Sequence, residues 1–115
     1  MSRSEFPVPD LSVDLCGVSL ENPTILASGV LGISRDMLRR VAGAGAGAAT
    51  IKSITLEPRE GHHGPTVVAC GAGVLNAVGY STPGVEAAAE EFNGVGELPV
   101  PVFASVVGRE AEEFA

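Results

Sequence analysis

Thr50-Ile51-Lys52-Ser53-Ile54-Thr55-Leu56-Glu57-Pro58 sets an ammonium beside a hydroxyl in a β-branched run that ends at a proline. Lys52 is the only lysine of the chain, while the other cations are Arg3, Arg35, Arg39, Arg40, Arg59 and Arg109. A lysine ammonium is compact, rotatable and readily shifted in pKa, whereas a guanidinium is a rigid fork. The chemistry this points to is contact with an anionic or electron-rich ligand. The competing reading is a surface lysine on a polar strand end.

A second candidate is Gly73-Val74-Leu75-Asn76-Ala77-Val78-Gly79-Tyr80. An Asn among small apolar residues, with a Gly three positions on, offers a side-chain amide and several backbone N–H groups to one anion. An Asn-containing turn with Gly79 at positive φ explains the same residues. Other polar stretches carry less. Gly43 to Ala48 contains G-x-G-x-x-A, but it leaves a helix and enters a strand, the reverse of a dinucleotide fingerprint. It reads as a helix-ending turn packed on a sheet. The adjacent His62 and His63 have no third metal ligand in sight. Cys70 lacks a basic partner and reads as a buried or inert thiol, and Cys16 as a packing residue. Glu86, Glu90, Glu91, Glu110, Glu112 and Glu113 read as solvated helix faces.

Composition narrows the function classes. The 115 residues suit one small domain, with 45% hydrophobic residues, no Trp, four Phe and one Tyr, hence an aliphatic core. A net charge of −7 argues against a nucleic-acid backbone as partner, which needs clustered Lys and Arg. No apolar run approaches the roughly 20 residues of a membrane span, and Met1-Ser2-Arg3-Ser4-Glu5 lacks the apolar h-region expected of a signal peptide. Two cysteines without a CxxC spacing suggest neither a disulfide framework nor a zinc site. A reduced, cytoplasmic protein is the expectation.

Alternation predicts a β-hairpin over Phe6 to Pro23, with Leu11, Val13 and Leu15 before Gly17 and Val18 and Leu20 after it. A short strand follows over Thr24 to Ala27. Ser34 N-caps a helix over Arg35 to Ala42, with Met37, Leu38 and Val41 on one face. The Lys52 strand comes next, then a Gly/Pro-rich loop from Glu57 to Gly84, a length that is commonly functional. Further elements are a helix near Gly84 to Phe92, a buried strand over Val100 to Val107, and a helix beginning at Arg109. Strands alternating with helices imply a parallel α/β sheet, whose ligands bind at the strands' C-terminal ends. Three such ends are visible: Ala27-Ser28-Gly29, Lys52-Ser53 and Ala104-Ser105.

Taken in order, Asn22-Pro23, Ala27-Ser28-Gly29, Lys52-Ser53, Glu57-Pro58-Arg59, Leu75-Asn76-Ala77-Val78-Gly79, Pro83-Gly84 and Phe103-Ala104-Ser105-Val106-Val107-Gly108 resemble class 1 dihydroorotate dehydrogenases, above all the catalytic subunit of the NAD-linked two-subunit branch. The resemblance implies an FMN-containing (β/α)8 TIM barrel that oxidises dihydroorotate to orotate in pyrimidine synthesis. It implies that residues 1–115 are an N-terminal portion holding the hairpin and about the first three βα units of a barrel of roughly 250 residues. Ala27, Ser28, Gly29, Lys52, Ser53 and Ser105 would contact the flavin. Lys52, Asn76, Ala77, Val78, Gly79 and Tyr80 would contact the substrate, with the backbone N–H groups of the last three on its carboxylate. An iron–sulfur/FAD electron-transfer partner and a homo-oligomer of the full-length chain are also implied. The catalytic base of the family would fall beyond Ala115, and neither Cys16 nor Cys70 matches it. Ser105 and Thr66 stand where most relatives carry Asn and Arg. A dihydropyrimidine dehydrogenase-type flavoprotein and a non-catalytic half-barrel binding module are the alternatives.

Overall fold

Leu38 sits at the centre of the packing, with none of its surface exposed. Complete burial of such a side chain contributes about 1.5–3 kcal/mol. A computed structural model of the chain describes residues 9–115. Leu38 belongs to α1 (Arg35–Gly43), whose buried residues are Leu38 and Ala42, with Met37 and Val41 half-buried. The Ser34 hydroxyl caps this helix by accepting from the Met37 N–H at 3.3 Å, and Asp36 and Arg40 complement the dipole at its two ends.

Under α1 lie three parallel strands, β3 (Ile25–Leu26), β4 (Ala48–Thr50) and β7 (Val102–Phe103), with β4 in the middle. Ile25 pairs with Ala48 and Leu26 with Ala49 on one side, and Ala49 pairs with Val102 and Thr50 with Phe103 on the other. Leu38, Ala49 and Ile51 form the buried cluster, with Leu26, Ile54, Phe92, Val95, Leu98 and Val102 packed around it. The architecture is α/β, as expected, and among the described residues this three-stranded sheet is open at both edges.

Ahead of the sheet, β1 (Val13–Leu15) and β2 (Val18–Leu20) form the expected antiparallel hairpin. Its predicted first residues, Phe6 to Val8, lie outside the described ones. Cys16 and Gly17 both have positive φ, 53° and 84°, the pattern of a tight hairpin turn. Cys16 is therefore an exposed turn residue and not the packing residue expected.

The Gly43 to Ala48 run behaves as expected, ending α1 and entering β4. Gly47 is obligatory, since a Cβ there would stand 2.0 Å from the Asn22 carbonyl oxygen. The central strand differs from expectation: it spans Ala48–Thr50 and Lys52 lies just past it. The reason is a hydrogen bond. Ile51 N–H still reaches across to Phe103 O at 3.0 Å, but Lys52 N–H turns to Gly32 O at 2.7 Å and leaves the ladder. Pairing resumes only as an isolated parallel bridge between Ile54 and Val106.

The long excursion is also more structured than predicted. Within it, β5 (Val67–Cys70) and β6 (Gly73–Asn76) form an antiparallel hairpin, exposed at every residue. Asn76 is thus the last residue of a strand, and Cys70 is exposed, not buried. Helix α2 (Val85–Glu91) follows, N-capped by Gly84 at φ 85°. The segment expected to begin a last α-helix forms a 3-10 turn, Ala111–Phe114. Another such turn, Val30–Gly32, was not foreseen.

Candidate functional site

The three predicted strand ends do come together. Ser28 Oγ lies 3.0 Å from Ser53 Oγ, and Ser53 Oγ lies 2.9 Å from Ser105 Oγ. The parallel register brings equivalent C-terminal ends side by side, so one hydroxyl from each strand joins a continuous row. Ser53 and Ser105 are half-buried, while Ser28 and Ala27 are exposed. Gly29 adjoins the row in extended backbone, and a Cβ there would meet nothing within 4 Å. The result is a ledge of small polar side chains with open space beside it.

Lys52 is half-buried next to this ledge. It makes no ion pair: among the described residues the only one joins Arg39 and Asp36, at 2.8 Å. An ammonium with no carboxylate within ion-pair distance among the described residues is available to an incoming anion. Lys52 and Val78 line one cleft of about 500 Å³, together with Ile33, Ile54, Pro83, Phe92 and the carboxylate-bearing Glu91. This cleft is where the strand end meets the segment after β6.

That segment carries the second group of candidates. Asn76 is exposed and paired with Val67 across the hairpin. The Ala77 N–H is already committed, donating to Thr66 O at 2.8 Å. The N–H groups of Val78, Gly79 and Tyr80 donate to no other described residue. Gly79 and Tyr80 have φ of 76° and 54°, and a turn through left-handed residues can present successive N–H donors to one anion. Tyr80 is the costlier of the two, because left-handed backbone is uncommon outside glycine.

Two contacts of this region escaped the sequence reading. Gly32 holds Lys52 through the hydrogen bond above, and its signal was only an isolated glycine after two apolar residues. His62 packs against Gly79, which no sequence spacing encodes. As for metals, no group of three His, Cys, Asp or Glu side chains able to hold an ion occurs among the described residues. Glu91, expected to be merely solvated, accepts the Arg35 N–H at 3.1 Å and ties α2 to the start of α1.

The family model for dihydroorotate dehydrogenase matches residues 10–115. The chain belongs to that family. It is 49% identical over 105 residues to the catalytic subunit of dihydroorotate dehydrogenase B (NAD(+)) of Methanothermobacter thermautotrophicus, covering 91% of this chain and 34% of the relative. Against the same subunit of Methanocaldococcus jannaschii it is 42% identical over 109 residues, covering 91% of this chain and 36% of the relative. The crystal structure of the Eimeria tenella dihydroorotate dehydrogenase in complex with ferulenol superposes with a TM-score of 0.71 at 16% identity, over 97% of this chain and 34% of that one. At that identity the likeness speaks for the fold. The chain spans about a third of the length of the curated relatives it matches. No described helix is long and apolar enough to cross a membrane.

Proposed function

We propose that the chain is the N-terminal portion of a dihydroorotate dehydrogenase catalytic subunit, in which it supplies the first strands of an FMN-binding (β/α)8 barrel. The observation that carries this is the meeting of Lys52 and Val78 in one cleft beside the Ser28–Ser53–Ser105 row. The exposed apolar side chains Ile25, Val30, Leu31 and Val106 fit a surface that further barrel strands and helices would cover.

The ledge fits a flavin. Its side chains are small, so a planar ring can approach the strand ends, and its hydroxyls can each donate to or accept from ring heteroatoms. Ala27, Ser28, Gly29, Ser53 and Ser105 would hold the ring, with Lys52 at its edge. FMN, when bound, supplies the acceptor for the hydride removed in oxidising a CH–CH bond.

This chain's own residues bind and orient. Lys52 places positive charge where negative charge develops, the form of stabilisation that contributes most in a preorganised site. The Asn76 amide and the Val78, Gly79 and Tyr80 N–H groups would converge on the substrate carboxylate, a geometry suited to charge-assisted hydrogen bonds. Ala77 would contribute contact rather than a donor. The proton-abstracting group would come from residues beyond Ala115. A partner subunit carrying iron–sulfur and FAD centres, a homo-oligomeric catalytic subunit and a cytoplasmic location complete the reading.

The test is the full-length protein with FMN, assayed for orotate formed from dihydroorotate. Reduction of uracil with no turnover of dihydroorotate would replace this reading by the dihydropyrimidine dehydrogenase type, which needs no carboxylate nest. Absence of both activities in a flavin-loaded protein would favour a binding module.

A further inference from the structure

His62 lies in the loop that runs antiparallel beside the Val78–Thr82 segment. Three backbone hydrogen bonds join the two: Arg59 N–H to Thr82 O at 2.8 Å, Thr82 N–H to Arg59 O at 2.9 Å, and His62 N–H to Val78 O at 3.0 Å. Packing is also tight at Gly79. A Cβ on Gly79 would stand 2.6 Å from His62 Cδ2, 2.9 Å from its backbone nitrogen and 3.0 Å from Cγ. The carbon edge of the imidazole therefore occupies the space a side chain at position 79 would need. Gly61 is confined by the same segment, since a Cβ there would stand 2.3 Å from Val78 O.

These contacts bear on the N–H groups of Val78, Gly79 and Tyr80. Left-handed backbone at Tyr80 costs free energy and persists only where the surroundings enforce it. His62 holds the two residues before Tyr80, through its backbone bond to Val78 and its ring against Gly79. The ring contact consists of carbon atoms, so its effect is packing.

We propose that His62 is a positioning residue for the Val78–Gly79–Tyr80 nest, wedging Gly79 so that the three N–H groups converge on a ligand carboxylate. The proposal rests on the reading of this nest as the substrate carboxylate site. It gives the first histidine of the His62-His63 pair a role without a metal.

The experiment uses the full-length FMN-loaded protein and calorimetric titration with orotate and with its neutral methyl ester. His62→Ala should weaken orotate binding on the order of tenfold while leaving the ester unchanged, because small displacements of binding groups are costly. His62→Phe keeps the carbon edge and should restore orotate binding. The proposal is overturned if His62→Ala binds orotate like the unaltered protein, if it weakens orotate and ester equally, or if His62→Phe fails to restore. Lys52→Met and Asn76→Ala serve as the separate arm. If both retain full orotate affinity, the carboxylate reading falls and the His62 proposal with it. If they lose affinity and His62→Ala does not, only the His62 proposal falls.

Discussion

Lys52 is anchored by a glycine twenty positions upstream: its backbone N–H donates to Gly32 O at 2.7 Å, and a Cβ on Gly32 would stand 2.9 Å from that nitrogen and 2.5 Å from Thr50 O. The close approach removes Lys52 from the sheet ladder and ends β4 at Thr50. The backbone at Lys52 is thus set by a turn between β3 and α1, not by its own strand.

Gly32→Ala should accordingly displace the backbone at Lys52. Because the obstructing atoms are main chain, the cost should fall in the 1–3 kcal/mol range of overpacking. Thermal unfolding of the full-length protein would register it, and flavin retention should fall in parallel. An alanine variant of unchanged stability would show that the turn yields freely.

Lys52→Met keeps the aliphatic stem and removes the charge. If the ammonium stabilises charge during substrate oxidation, kcat should drop on the order of a hundredfold, in line with the loss of one preorganised electrostatic group. Stopped-flow measurement of flavin reduction by dihydroorotate is the direct check. A drop confined to KM would assign Lys52 to binding alone.

Ser53→Ala removes the middle hydroxyl and leaves Ser28 and Ser105 without their shared partner. A net hydrogen bond contributes about 0.5–1.5 kcal/mol, so FMN should bind several-fold more weakly. Ser28→Ala, at the exposed end of the row, should have the smaller effect. Equilibrium dialysis against FMN distinguishes the two.

Leu38→Ala should cost about 2–5 kcal/mol, since the side chain is fully buried between α1 and the sheet and leaves a cavity. The loss should appear in the denaturation midpoint while orotate affinity in the surviving folded protein stays the same.

Expressed alone, residues 1–115 should neither retain FMN nor stay monomeric. Two open sheet edges and the exposed Val30, Leu31, Val67, Val68, Val74 and Leu75 favour association. A yellow, monomeric preparation in size-exclusion chromatography would contradict this.

The residues by themselves determined a good deal. The lone lysine, the N-capped α1 with its Met37–Leu38–Val41 face, the first hairpin and the recurrence of small hydroxyl residues at three strand ends were all readable, because each is a local pattern of side-chain type and spacing. Close approach was not readable. Gly32 against Lys52, Gly79 against His62 and the early end of β4 depend on which distant backbone arrives within 3 Å, and no local period encodes that. The β5–β6 hairpin escaped for a related reason: its apolar residues face solvent on both sides, so the in–out alternation that marks a half-buried strand is absent. Sequence chose the chemical groups, and tertiary contact decided where the Lys52 backbone sits and what packs against the Val78 to Tyr80 segment, whose N–H groups find no partner among the described residues.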